Sequence, residues 1–206
     1  MKAIALPVLL ALTLAGCAAK QIDPPVQGQT AMVTSIEGAR GTLVLPLQFQ
    51  SLVVSSRPTV GRTWGAYTFD IQAGKAMSKA LASQLRARIP SLTVGDAPGP
   101  AGQPSITARN IIMEFGVDNG NTMKWMAVAG PFASAADARM VASATLTFDI
   151  AIPGSAPESM RVEGLAARES SYIMMTEGKL QETIGQAIDD AAAKATQAFL
   201  SKLPRR

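Results

Sequence analysis

The chain has 206 residues, of which 48% are hydrophobic, 17% charged and 5% aromatic, with a net charge of +4. This apolar fraction is high enough to build a core and excludes wholesale disorder, while the small basic excess does not indicate a nucleic-acid partner. Histidine is absent and cysteine occurs once, which excludes Ser-His triads, His-based metal sites, intrachain disulfides and Cys-based zinc sites.

The N-terminal residues have the composition of a bacterial export signal. Lys2 supplies one positive charge, and an apolar run from Ala3 to Leu14 follows it. That run is well short of the roughly 20 residues that a membrane-spanning helix needs. We therefore predict that residues 1–16 are a signal peptide and that the mature chain, beginning at Cys17, has no transmembrane helix.

The residues Leu14-Ala15-Gly16-Cys17 resemble the lipobox of bacterial lipoproteins. The resemblance implies that the Cys17 thiol is acylated and that the chain is cut just before it. Each buried methylene contributes roughly 0.8 kcal/mol, so two or three acyl chains would anchor the protein to a membrane. Ala18 stands where an aspartate would retain a lipoprotein at the inner membrane, which implies the outer membrane. The alternative is an ordinary secretory signal with an incidental cysteine.

Residues 17–37 have the composition of a lipidated N-terminus followed by a flexible linker. They contain Pro24-Pro25 and several polar residues, and they show no hydrophobic period. Such a linker would let a folded domain stand away from the membrane. No repeat or second low-complexity segment follows, so we predict a single periplasmic domain over residues 38–206.

The first half of this domain is predicted to contain strands and one helix. Gly41 to Ser55 is rich in Leu, Val and Phe and predicts an edge or bulged strand, since Pro46 lies inside it. A short extended piece at Tyr67 to Ile71 follows. From Ala73 to Ile89 apolar residues recur every three or four positions, and Pro90 ends the pattern, which predicts an amphipathic helix.

The second half is predicted to contain long strands and a closing helix. Ser105 to Val117 and Arg139 to Ile152 alternate apolar and polar residues, and Ser159 to Ser170 forms an antiparallel hairpin with the latter. Apolar residues spaced by three or four predict a helix from Lys179 to Leu203. The predicted fold class is α+β, with two amphipathic helices packed on one face of a mainly antiparallel sheet.

No arrangement of side chains for catalysis is recognisable in the sequence. Ser-x-x-Lys, Gly-x-Ser-x-Gly, dinucleotide-binding and Walker motifs are absent. The DNGN sequence at residues 118–121 lacks the other ligands of an EF-hand and is better explained as a hairpin turn. Asp189 and Asp190 point about 100° apart on a helix and are predicted to lie on a solvated face. We therefore expect no enzyme activity, no cofactor and no metal site.

The connection between the two long alternating strands is the most unusual stretch of the chain. Residues 122–136 are more than a hairpin needs and include several large apolar side chains. Long connections are often functional, and Met and Trp provide adaptable contact surface. Alternatively, these residues cap an open sheet face and complete the core. The predicted partner or ligand surface consists of Met123, Trp125, Met126, Phe132, Met174 and Met175.

With the lipobox, the strand Thr42 to Leu47, the helix Ala73 to Ile89 and the helix Lys179 to Leu203, the chain resembles small bacterial outer-membrane lipoproteins, including the auxiliary lipoproteins of ABC-type lipid transporters. We expect a non-catalytic adaptor or auxiliary subunit in cell-envelope assembly or lipid transport. It would dock on an envelope protein complex through a sheet edge and the Met/Trp connection. The alternative is a carrier or chaperone that shelters a lipid or other apolar ligand between helices and sheet.

Palmitate labelling tests the predicted acylation site. In cells grown with labelled palmitate, we expect the natural chain to incorporate label and Cys17→Ser to incorporate none, because serine offers no thiol. Ala18→Ser, which retains the thiol, is the matched control and should be labelled. Persistent labelling of Cys17→Ser would contradict the prediction.

Overall fold

The computed structural model describes residues 19–28, 35–58, 67–100, 102–118, 137–171 and 176–203. These ranges contain eight strands and three helices, which confirms the predicted α+β class. In chain order the elements are β1 (Lys20–Ile22), β2 (Arg40–Val44), α1 (Leu47–Gln50), β3 (Val54–Ser56), β4 (Phe69–Ile71), α2 (Ala73–Arg88), β5 (Ser91–Gly95), β6 (Ser105–Asp118), β7 (Asp137–Ala151), β8 (Glu158–Ser171) and α3 (Glu177–Lys202).

The strands form two sheets. The main sheet has five strands in the order β5-β2-β6-β7-β8, and the small sheet has three in the order β1-β4-β3. The long strands β6, β7 and β8 pair antiparallel, whereas β2 pairs parallel with both β5 and β6. The main sheet is therefore mixed, and its antiparallel part is the long hairpin predicted from the alternating residues.

The two long helices cover one face of the main sheet, as predicted. Along β7 the even-numbered residues from Met140 to Ile150 are buried. Helix α3 packs against β7 and β8, and α2 packs beside α3 and against β5 and β6. Successive residues of a strand point to opposite faces, so the odd-numbered residues of β7 point away from the helices.

The predicted strand from Gly41 to Ser55 is divided into three elements. β2 ends at Val44, the short helix α1 follows Pro46, and β3 begins at Val54. Proline has no N–H to donate to a strand ladder, and its fixed φ suits the start of a helix. Gln50 then donates a side-chain hydrogen bond to the Leu45 carbonyl oxygen at 2.7 Å, which satisfies an acceptor where the ladder stops.

Residues 19–28, which the sequence analysis placed in a flexible linker, pack against the folded domain; we call them the N-terminal strap. β1 pairs parallel with β4, and both Ile22 and Val26 are buried in the main hydrophobic core. The backbone N–H groups of Gln27 and Gly28 donate to the Asp189 carboxylate at 2.9 and 3.3 Å. The strap is therefore held by apolar burial, strand pairing and helix contacts rather than standing away from the fold.

The contact between α3 and β8 leaves no space for a side chain at Gly164. A Cβ there would overlap the carbonyl oxygen of Ala187 and the backbone nitrogen of Ala191. Both contacting groups are backbone, so neither can turn aside as a flexible side chain would. Glycine on the strand and alanines on the helix thus let the α3 backbone lie directly on the sheet.

Adding one methyl group at this contact should destabilise the fold. For Gly164→Ala we expect the free energy of unfolding to fall by about 1–3 kcal/mol, the usual cost of overpacking a core, in urea denaturation. The control is Ala167→Val on the exposed face of the same strand, which should change stability by less than about 0.5 kcal/mol. Equal stability of Gly164→Ala and the natural chain would contradict the described contact.

Candidate functional site

One face of β6, β7 and β8 points away from α2 and α3 and carries exposed side chains; we call it the open face. Three large apolar side chains on it are exposed: Leu165 by 61%, Ile112 by 44% and Val141 by 36%. Scattered exposed apolar residues are ordinary on protein surfaces, but these three lie on adjacent strands. Val141 and Leu165 are diagonal neighbours on β7 and β8, and Ile112 lies on the same face of the sheet, one row beyond Leu165; we call these three residues the apolar patch.

Strand register places the patch among charged and small polar side chains. Glu114, Ser143 and Leu165 form one cross-strand row, with Ser143 in the centre. The next rows are Ile112, Thr145 and Glu163 on one side, and Gly116, Val141 and Ala167 on the other. Glu114 and Leu165, like Ile112 and Glu163, lie two strands apart in their rows, a separation of roughly 10 Å.

Two shallow grooves cross the open face and share Glu114 and Ser143. One has a volume of about 500 Å³ and includes Val141, Leu165 and Arg139 in its walls. The other, of about 460 Å³, is more polar and includes Arg161. Because they share residues, the grooves form a continuous concave surface along the sheet.

The charged side chains of the open face are available to a partner. The ion pairs found among the described residues are Lys20–Glu177, Lys75–Asp23, Arg109–Asp149, Arg168–Glu182, Lys194–Asp190 and Lys202–Glu158. Glu114, Arg139, Arg161 and Glu163 take part in none of them. An incoming surface with complementary charges would thus not have to break an existing ion pair of the described chain.

The edge of the sheet at β8 is closed at its centre by side chains of α3. The Leu165 N–H donates to the Asp190 carboxylate at 3.0 Å, and the Lys194 ammonium donates to the Glu163 carbonyl oxygen at 2.8 Å. Lys194 and Asp190 also pair with each other at 2.8 Å. Because these backbone groups are occupied, they are not free to pair with an added strand. The expectation of docking through a sheet edge, which names no particular edge, stays a prediction.

Asp189 and Asp190, predicted to lie on a solvated face, are partly exposed, but each also accepts hydrogen bonds from another segment. The two carboxylates point in different directions on the helix. That of Asp189 accepts from backbone N–H groups of the strap, and that of Asp190 accepts from a backbone N–H group at the edge of β8. Their roles are structural, and sequence spacing within α3 gives no sign of them.

The described residues contain no group of three or more Cys, Asp or Glu side chains close enough to hold a metal ion. No helix in the same ranges is long and apolar enough to cross a membrane. The open face carries the apolar patch with charged side chains beside it.

Every residue of the predicted site lies outside the described residues: Cys17, Met123, Trp125, Met126, Phe132, Met174 and Met175. The six predicted surface residues other than Cys17 belong to two connections, and the described strand ends show where those connections begin and end. Asp118 is opposite Arg139, and Asp137 is opposite Ser171. Both connections therefore leave the same end of the sheet, close to the groove that includes Val141 and Arg139.

The sequence contains a signal for the open face in the alternation of its long strands. In Ser159–Ser170 the residues that alternate with Met160 and Val162 include Arg161 and Glu163, and Leu165 interrupts that polar phase. Ile112 interrupts the polar phase of β6 in the same way. An apolar residue in the solvent phase of a long strand indicates either a local core contact or a binding surface.

Three solved structures are similar to this chain at low identity. Rare lipoprotein B from Shewanella oneidensis has 10% identity over 79% of this chain and 91% of its own, with a TM-score of 0.38. A minor lipoprotein from Acinetobacter baumannii has 13% identity over 84% and 98%, with a TM-score of 0.42. A Xanthomonas campestris protein of family DUF330 has 11% identity over 88% and 96%, with a TM-score of 0.44.

No protein-family model matches the chain. No curated protein matches it either.

Removing the Asp190 carboxylate should expose the edge of β8. In Asp190→Ala we expect amide hydrogen exchange at Leu165 to accelerate roughly fivefold, because a hydrogen bond contributes about 1 kcal/mol net. Gln186→Ala, an exposed change on the same helix, controls for altered helix propensity and should leave that amide unchanged. Unaltered exchange at Leu165 in Asp190→Ala would show that the carboxylate does not close the edge.

Proposed function

We propose that this chain is a lipid-anchored, non-catalytic lipoprotein on the periplasmic face of the outer membrane. It acts as an adaptor or auxiliary subunit in cell-envelope assembly or lipid transport. The lipobox at Cys17 supports the anchor, and the open face supports the adaptor role. The single observation that carries the adaptor role is the exposed patch of Leu165, Val141 and Ile112 on a sheet whose other face is fully packed.

The patch has the physical properties of a docking surface. Burying one leucine side chain stabilises a complex by about 1.5–3 kcal/mol, so three large apolar groups supply a useful contact core. Protein interfaces place such groups at the centre and polar groups at the rim. Glu114, Arg139 and Arg161 lie beside the apolar groups and supply both signs of charge, which would fix the orientation of the partner.

The structure disfavours the carrier alternative where it was expected, between helices and sheet. Ala187, Ala191 and the other apolar residues on this side of α3 are fully buried, and the helix backbone touches Gly164. A lipid chain could enter only if α3 moved away from β8. The grooves of the open face are another described location for an apolar ligand, and they are shallow.

Site-specific photo-crosslinking in cells tests the docking surface. A photoreactive amino acid at Leu165 should form a defined crosslinked product with an envelope protein, because that side chain lies in the predicted interface. Leu47, on α1, is the matched control: it is also leucine and 68% exposed, but it lies off the open face. We expect no product of comparable yield from position 47.

Two results would contradict the adaptor. The first is the absence of any protein crosslink from position 165. The second is co-purified lipid, detected by native mass spectrometry, in a chain that lacks residues 1–17, together with loss of that lipid on Leu165→Glu. That result would favour the carrier alternative. Leu165→Glu also serves as a fold control, since circular dichroism and melting should stay unchanged for so exposed a residue.

A further inference from the structure

We infer that the end of the domain formed by Lys20, Tyr67 and Glu177 rests directly on the bilayer surface, a site of contact with lipid headgroups. We call it the strap end. The inference rests on the proposed acylation of Cys17. It replaces the expectation that a flexible linker lets the domain stand away from the membrane.

The first step is the length of the tether. Cys17 precedes Lys20 by three residues, and a fully extended chain spans at most about 3.3–3.6 Å per residue. The acylated residue therefore lies within roughly 10 Å of Lys20. A tether this short cannot hold the domain at a distance while its acyl chains remain in the bilayer.

The second step is that Lys20 is fixed to the fold. Its backbone N–H donates to the Thr68 carbonyl oxygen at 2.9 Å, and its ammonium group lies 3.1 Å from a Glu177 carboxylate oxygen. The ammonium group also lies 4.7 Å from the centre of the Tyr67 ring, a cation–π contact. Strand pairing, a surface ion pair and an aromatic contact together determine where the tether meets the domain.

The third step is that the rest of the strap resists detachment. The fully buried Ile22 accepts a backbone hydrogen bond from Gln72 at 2.9 Å. The Pro25 carbonyl lies so close to Gly185 that a Cβ at that glycine would overlap it. Releasing the strap would expose Ile22 and Val26 and leave the Gln27 and Gly28 amides without the Asp189 carboxylate.

The fourth step is the direction in which the chain before Lys20 leaves the domain. The strap runs along α3 from Glu177, at the start of the helix, to Asp189, near its middle. The chain before Lys20 therefore leaves beyond the N-terminus of α3. At the other end of this helix, Lys202 pairs with Glu158 at 2.8 Å. A helix of 26 residues is roughly 39 Å long, so the turn between β7 and β8 lies far from the membrane.

The chemistry of the strap end suits the headgroup layer. Tyr67 is 46% exposed and has Lys20 over its ring, and Arg57 is held nearby by a hydrogen bond from its Nε to the Thr68 hydroxyl at 3.0 Å. Amphipathic side chains of these types place an apolar body against lipid and a polar tip in water. The long axis of the sheet would then point away from the membrane, and the open face would be presented sideways to a partner.

Depth-dependent fluorescence quenching tests the orientation in the acylated full-length protein. Because Cys17 is acylated, a cysteine introduced elsewhere is the single reactive thiol. Gln21→Cys, at the strap end, and Ser155→Cys, in the β7–β8 turn, are both exposed positions for a fluorophore. In vesicles that carry headgroup nitroxide lipids, we expect the label at 21 to lose most of its fluorescence and the label at 155 to keep it.

A chain with a lengthened tether provides the second part of the quenching experiment. Ten Gly/Ser residues inserted between Ala18 and Ala19 add a root-mean-square reach of roughly 17 Å, so quenching at position 21 should fall sharply. Equal quenching at positions 21 and 155, no quenching at 21 in vesicle-bound protein, or full quenching at 21 after the insertion would each overturn the inference. Failure of the proposed acylation is distinguishable, because the protein would then not float with the vesicles.

Discussion

The backbone contact between α3 and β8 is the constraint on which the rest of the structure depends. Gly164 and the small residues Ala187 and Ala191 bring helix and strand closer than any larger side chains would permit. This approach seals one face of the long hairpin and leaves its other face without a covering helix in the described chain. It also decides which side chains of α3 can reach the strap and the edge of the sheet.

Because α3 lies so close to β8, three polar side chains of the helix form hydrogen bonds with backbone groups of other segments. Asp189 accepts from the strap, and Asp190 and Lys194 occupy the centre of the β8 edge. One helix thus closes a face, protects an edge from strand addition and fixes the N-terminal segment. The open face is then the broad surface at which the described chain can meet a partner, and the strap determines how that face is presented to the membrane.

Sequence patterns predicted the long helices and the antiparallel hairpin because their signals are local: a period of three to four in α2 and α3, and a period of two in β7 and β8. They did not predict the strap. Its apolar residues, Ile22 and Val26, are few and stand among prolines and polar residues, and their burial depends on β4 and α3, which lie far along the chain. The division of the first predicted strand has only a weak local signal, because a proline inside an apolar run indicates a bulged or edge strand as readily as the start of a helix.

The candidate site was located only in part. The predicted surface residues belong to connections outside the described residues. Val141 lies near the sheet end from which those connections leave, and Leu165 lies at the centre of β8 in the same groove as Val141. Their exposure follows from which face α3 covers, and hydrophobic alternation alone does not say which face of a mixed strand is buried. The small residues at the helix–sheet contact determine which face is buried. They lie on β8 and α3, two separate elements, so no local pattern shows that they meet.

The most direct test of this account is the solvent accessibility of the two faces of the main sheet. In purified protein with Cys17 replaced by serine, single cysteines at positions 143, 165 and 167 should react rapidly with a maleimide. Cysteines at 142, 144 and 146 should react only on unfolding, because α3 covers them. That alternation is the predicted result. Protection at both sets of positions, or rapid reaction at both, would contradict a sheet sealed on one face and open on the other.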